Sequence, residues 1–145
     1  MTEHSSAVTA WEALFRAQVT ILRHLGSDFP VNDLSFNEYD VVFNLSQQPG
    51  RRARLRSLNE LLLISQPSIS RLVDRLVTRG IVTKAEDPHD ARGVLVELTD
   101  EGYRTFVAVA RLHMERIEAR VGGVLTPEEL STLTALCTKL RLAEK

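Results

Sequence analysis

Between residues 65 and 99 the apolar pattern of the chain changes its period, and that change constrains the fold more than any other feature. Ile69, Leu72, Val73, Leu76 and Val77 recur at i, i+3, i+4, i+7 and i+8, which places them on one stripe of a helix. Arg71, Arg75 and Thr78 lie on the opposite face, with Ser68 and Ser70 on its flanks. Ser65 is placed to cap the helix, and Pro67 sits in the first turn, where a missing N–H costs no hydrogen bond. Gly80 can adopt the left-handed conformation that ends a helix. Further on, Val94, Val96 and Leu98 alternate with Leu95, Glu97 and Thr99, which is strand spacing, and residues 81–85 supply a partner strand. The segment EDPHDARG between them is expected to be a turn-forming loop with Arg92 near its tip.

A helix with a basic outer face followed by a charged β-hairpin outlines a winged helix–turn–helix. The preceding residues agree. Ser57 is placed to cap a short helix over 58–64, and the longer helix comes after a turn of a few residues. Upstream, Ser35 and Glu38 have capping-box spacing, and Leu34 and Tyr39 are spaced as a hydrophobic staple. That helix is expected to stop at Gln48-Pro49-Gly50. The spacing predicts a helix over 7–25, with Trp11, Leu14, Phe15, Val19, Ile21, Leu22 and Leu25 too numerous for a free surface helix. Thr99 can cap a long helix through Phe106, Val109, His113 and Ile117 that ends or bends at Gly122-Gly123. Thr126-Pro127-Glu128-Glu129 opens a last helix with the stripe Leu130, Leu133, Leu136, Cys137 and Leu140. The expected organisation is an N-terminal dimerisation helix (1–34), a DNA-binding winged unit (35–99) and C-terminal dimerisation helices (100–145). A unit this small does not need three long apolar helices for its own core, so they read as an interface between two copies. The fold class is mainly α with a small β-hairpin wing.

Composition narrows the function. With 145 residues, 43% hydrophobic and 26% charged, the chain is globular. No apolar run approaches a membrane span, and residues 1–8 lack the features of a secretion signal, so a cytoplasmic location is expected. A single cysteine, Cys137, excludes an internal disulfide framework. His4, His24, His89 and His113 show no metal-site spacing, and no metal or cofactor is expected. Catalytic motifs are absent: there is no nucleophilic triad pattern, phosphate loop, HExxH or carboxylate pair, so the chain does not read as an enzyme. The net charge of −1 conceals a strong asymmetry. Residues 51–92 hold nine Lys and Arg against five acids, and the remainder holds nine against fourteen. A phosphate backbone meets the local field, and the local field is positive.

The segments S-Q-P-S-I-S-R-L-V-D-R-L-V-T-R-G-I-V and D-P-H-D-A-R-G-V-L-V-E-L-T-D-E-G resemble the MarR family of transcriptional regulators. The more specific part is Asp90-x-Arg92 followed by V-x-L-T-x-x-G; Ala91 stands where many members carry a second arginine. The helix order around these segments is also similar, so the resemblance extends over nearly the whole chain. It implies an intertwined helical homodimer on double-stranded DNA, with recognition helices in the major groove and wings at flanking minor grooves. Such a protein would be a repressor on an inverted-repeat operator, released by a small aromatic or phenolic effector. The DNA-binding candidates are Arg54, Arg56, Gln66, Ser68, Ser70, Arg71, Arg75 and Arg92, with Asp90 orienting Arg92. Arginine suits bidentate contact with guanine or phosphate, and Arg92 on a slender hairpin suits a narrow minor groove. The effector-binding candidates are Trp11, Phe15, Phe36, Tyr39 and Phe43. Two alternatives stay open: a winged helix used for protein contact, and a thiol-switch regulator acting through Cys137.

Overall fold

A computed structural model describes residues 5–62 and 66–144. Ser65, the expected cap, and the end of the expected 58–64 helix lie outside the described residues. The chain divides into two compact units, Gly26–Arg111 and Met1–Leu25 with Leu112–Lys145. In the first unit, α2 (Phe36–Ser46) starts on the expected capping box. The Glu38 N–H donates to Ser35 Oγ at 3.1 Å, and the Ser35 N–H donates to Glu38 Oε1 at 3.0 Å. Leu34 and Tyr39, the proposed staple, are both buried in the same core. A tight turn at Pro49–Arg51 leads into β1 (Arg52–Arg54), and α3 (Leu55–Leu61) begins without a break.

The structure adds a strand in this region and corrects one sequence expectation. Arg52, Ala53 and Arg54 form a strand because they pair with Glu97, Val96 and Leu95. Leaving that strand, the chain enters α3 at once, so Ser57 lies inside the helix, and Arg54 occupies the cap position without a side-chain capping bond.

The amphipathic helix is α4 (Gln66–Thr78). Ile69, Leu72, Val73 and Leu76 are buried as expected, whereas Val77, at the edge of the stripe, is exposed. Gly80 ends the helix at φ 74°. The Ile81 N–H donates to the Leu76 carbonyl at 2.9 Å and the Gly80 N–H to the Val77 carbonyl at 3.0 Å, the paired bonds of a Schellman motif. The core beneath these helices also takes in Val41, Val42, Leu45, Leu58, Val82, Val96 and Val109.

The wing is β2 (Val82–Asp87) and β3 (Asp90–Leu98), in an antiparallel sheet of order β1-β3-β2. Its turn is shorter than the eight-residue loop expected, because the strands pair as far as Asp87 opposite Asp90, leaving only Pro88 and His89 between them. Arg92 therefore lies within β3, two residues past Asp90, near the turn but not in it. The register passes from Glu86↔Val94 directly to Asp87↔Asp90, so Ala91, Arg92 and Gly93 bulge from the ladder. Asp87 braces this end. Its carboxylate is buried, 2.6 Å from Arg54 Nε, and accepts the His89 N–H at 2.9 Å. The His89 N–H is the main cause of a lowered Asp87 pKa, burial opposes it, and the Arg54 guanidinium adds to the lowering.

Thr99 joins the wing to the next helix. Its N–H donates to the Ile81 carbonyl at 3.0 Å, and its hydroxyl reaches the Gly80 and Ile81 carbonyls at 2.7 and 3.0 Å. The same oxygen accepts the Gly102 N–H at 2.9 Å, capping α5 (Asp100–Ile117). One π-helical turn, Glu118–Gly122, comes next at the expected glycines, and α6 (Pro127–Leu142) starts on the expected Thr126/Glu129 capping box. In the second unit the helices expose much apolar surface. Within α1 (Ser6–Ser27) Leu25 is the buried residue, and α6 buries none among its described residues. Trp11, Phe15, Leu22, Leu133, Leu136 and Leu140 are exposed. Among the described residues no helix is long and apolar enough to cross a membrane.

Two glycines are contrasted by their surroundings. A Cβ at position 102 would overlap the Ile81 carbonyl oxygen, whereas one at position 26 meets nothing within 4 Å. Gly102→Ala is expected to cost about 1–3 kcal/mol, the range for overpacking, and Gly26→Ala to be neutral or stabilising by up to about 1 kcal/mol; urea titration measures both. Because the Asp87 pKa is lowered in the fold, its brace contributes at neutral pH and is lost as pH falls through that lowered value. Asp87→Asn is expected to lower the amide protection factors across Asp90–Val94 at neutral pH, and wild type to approach those lowered factors only in acid.

Candidate nucleic-acid interface

Nine basic side chains fall between residues 51 and 92, and their partners separate those with structural work from those without. Arg79 Nη1 lies 3.2 Å from Glu38 Oε2, a buried carboxylate that also closes the α2 capping box. Lys84 Nζ lies 2.9 Å from Asp74 Oδ1, tying β2 to α4. The Arg51 guanidinium stacks 3.4 Å over the Tyr103 ring. Arg54 is held by Asp87. Arg52, Arg56, Arg71, Arg75 and Arg92 are exposed and make no ion pair among the described residues. Asp74 is the acid next to Arg75 along the chain. Lys84 takes Asp74, and Arg75 remains open to solvent.

Arg71 and Arg75 are one turn apart on the face of α4 that points away from the core. Ser68 is exposed on the first turn of the same helix, Ser70 is half-buried, and Gln66 opens the helix. On the wing, the Arg92 N–H donates to Asp90 Oδ1 at 3.0 Å. Asp90 thus fixes the backbone of Arg92 and leaves its guanidinium free. Arg54, Arg56, Asp90 and Arg92 line one recess of about 210 Å³ beside the turn end of the wing. Sequence reasoning names all four without placing them together. It misses Asp87, whose signal is an acid flanking a Pro-His turn, and the pairing of Glu38 with Arg79, which no local pattern encodes.

The aromatic candidates separate by unit. Trp11 and Phe15 are exposed on α1, with ring centroids 5.9 Å apart, beside Arg16 and Arg23 in a recess of about 580 Å³. Phe36, Tyr39 and Phe43 belong to the winged unit, in an aromatic cluster with Phe29 and Phe106 that sequence spacing does not assemble. Tyr39 is buried, and burial first, then the Asp40 charge, raises its pKa. Cys137 is half-buried on α6. Among the described residues no three His, Cys, Asp or Glu side chains are grouped to hold a metal ion.

A family model described as the MarR family matches residues 32–93, the segment from the α2 cap to the wing bulge. YkoM of Bacillus subtilis (strain 168), an uncharacterised helix–turn–helix-type transcriptional regulator, is 26% identical over 137 residues, spanning 94% of this chain and 87% of that one. The multiple antibiotic resistance protein MarR of Escherichia coli (strain K12) is 32% identical over 83 residues, 57% of this chain and 58% of that protein. Among solved structures, the MarR-family regulator Sco3205 of Streptomyces coelicolor, in complex with DNA, superposes with a TM-score of 0.81 at 26% identity, covering 97% of this chain and 90% of that one. The basic helix face, the braced wing and these likenesses agree: the winged segment matches the MarR family model, and the chain is similar over nearly its whole length to a MarR-family transcriptional regulator, of a family of DNA-binding proteins that are not enzymes.

Proposed function

We propose that the protein is a homodimeric repressor that binds an inverted-repeat operator and leaves it when a small aromatic effector binds. The observation that carries the DNA reading is the outer face of α4, where Arg71 and Arg75 stand exposed and unpaired while neighbouring cations are neutralised. An arginine fork free of internal partners can meet guanine or phosphate without first breaking an ion pair. The exposed apolar residues of α1 and α6 support pairing between two copies, since a lone surface of that kind is costly in water. Two copies related by a twofold axis would read half-sites about one DNA turn, roughly 34 Å, apart. The exposed Trp11–Phe15 pair, with Glu12, Arg16 and Arg23 beside it, suits an aromatic effector, and Phe36, Tyr39 and Phe43 are the further effector-facing candidates. An effector would act by favouring a dimer whose α4 helices no longer match that spacing.

Selection of duplexes from a random pool is expected to return an inverted repeat with half-sites one turn apart; recovery of unrelated sequences would refute the reading. On that duplex, Arg71→Ala is expected to cost about 1–3 kcal/mol and to relax preference at one base position, as for an arginine that reads a base edge. Leu136→Asp is expected to shift the protein from dimer to monomer in sedimentation and to lower operator affinity steeply.

A further inference from the structure

Resting on the DNA-binding reading, the geometry points to His89 as a titrating DNA contact of the wing, whose protonated imidazole meets the anionic duplex, so that operator affinity follows pH. The wing strands stay paired as far as Asp87 opposite Asp90, and Pro88 and His89 alone join them. Both are exposed. Of the two, His89 has the side chain that can carry charge.

The corner is fixed before any duplex arrives. Asp87 Oδ1 accepts the His89 N–H at 2.9 Å, an Asx turn with Pro88 at its centre. The Pro88 ring restricts its own φ. The same Asp87 carboxylate lies 2.6 Å from Arg54 Nε, which ties the corner to β1. These contacts hold His89 by its backbone. The imidazole itself makes no hydrogen bond or ion pair among the described residues.

The charged groups at this end of the wing are Glu86 and Asp87 on β2, Asp90 and Arg92 on β3, Arg54 at the end of β1 and Arg56 on α3. As residue types, carboxylates and guanidiniums hold their charge between about pH 6 and 8, and imidazole is the group that changes. Asp87 is secured further. The His89 N–H first, and the Arg54 guanidinium as well, hold its carboxyl below the ordinary carboxylate value against the opposing effect of burial. The brace is therefore constant while the imidazole titrates. Within Gly26–Arg111 His89 is the one histidine, and that unit has no cysteine. Neutral, His89 adds nothing to the positive field of α4 and Arg92. Protonated, it extends that field to the corner of the wing. The negative potential of a narrow minor groove attracts histidine as it attracts arginine and lysine. Linkage fixes the sign: a duplex that favours the protonated form takes up a proton on binding, and binding tightens as pH falls.

The test is fluorescence anisotropy on the pool-selected duplex at pH 6, 7 and 8 over a range of salt, with wild type, His89→Gln and His89→Arg. Both substitutions keep the backbone N–H that Asp87 holds, and circular dichroism checks the fold at each pH. Wild type is expected to bind about tenfold more tightly at pH 6 than at pH 8, with a salt slope steeper by about one at pH 6. His89→Gln is expected to keep the weak affinity of pH 8 throughout, and His89→Arg the tight affinity of pH 6 throughout. A wild-type affinity that is level across the range overturns the inference. So does a His89→Gln variant that retains the full pH response, which would assign the response to a group outside the wing. Absence of salt-dependent duplex binding by wild type at all three pH values overturns the regulator reading itself, a failure distinct from either of these.

Discussion

Three carbonyl-directed bonds from Thr99 hold the winged lobe to its geometry. At this one residue the chain has just left α4 through Gly80, has traversed the wing and is about to start α5. The Thr99 N–H and hydroxyl bind the Gly80 and Ile81 carbonyls, and its oxygen caps α5 through the Gly102 N–H. The carbonyls of the turn that follows α4 and an N–H left over at the N-terminus of α5 are thus satisfied through one side chain. The joint ties the exit of α4 to the end of the wing, because Ile81 leads into β2 and Thr99 follows β3. Close approach is possible because residue 102 has no Cβ.

Ion pairs in the lobe separate structural cations from available ones. Exposed pairs contribute little stability by themselves. Their effect here is selective. Arg79, Lys84 and Arg54 are drawn onto Glu38, Asp74 and Asp87, while the outward arginines make no ion pair among the described residues. The positive field of residues 51–92 is therefore presented by only part of its charges, on one helix face and on the wing near its turn.

Elements with local chemical signatures are legible in the sequence. The Ser35/Glu38 and Thr126/Glu129 boxes, the Gly80 stop and the stripe of α4 rest on spacings of three or four residues, and the structure has each of them. The elements that escape depend on partners remote along the chain. β1 is three residues with no apolar alternation, and it is a strand only because Glu97, Val96 and Leu95 arrive beside it. That pairing moves the start of α3 and displaces Ser57 from the cap. The wing turn reads too long in the sequence because Asp and Pro signal turns, whereas the Arg54–Asp87 brace extends the pairing to the Pro88-His89 corner. Residue types for the DNA-facing set can be named from sequence. Which arginines are spoken for by acids cannot, since Glu38 and Arg79 are 41 positions apart.

Glu38 has one further consequence. Its carboxylate fastens the first turn of α2 and at the same time the residue just after α4, so neither helix can shift without disturbing the other. Conformational entropy of the α4 face is therefore surrendered when the polypeptide folds, long before a duplex is encountered. A preorganised face of this kind loses little freedom on association, and more of each contact formed there survives as net affinity.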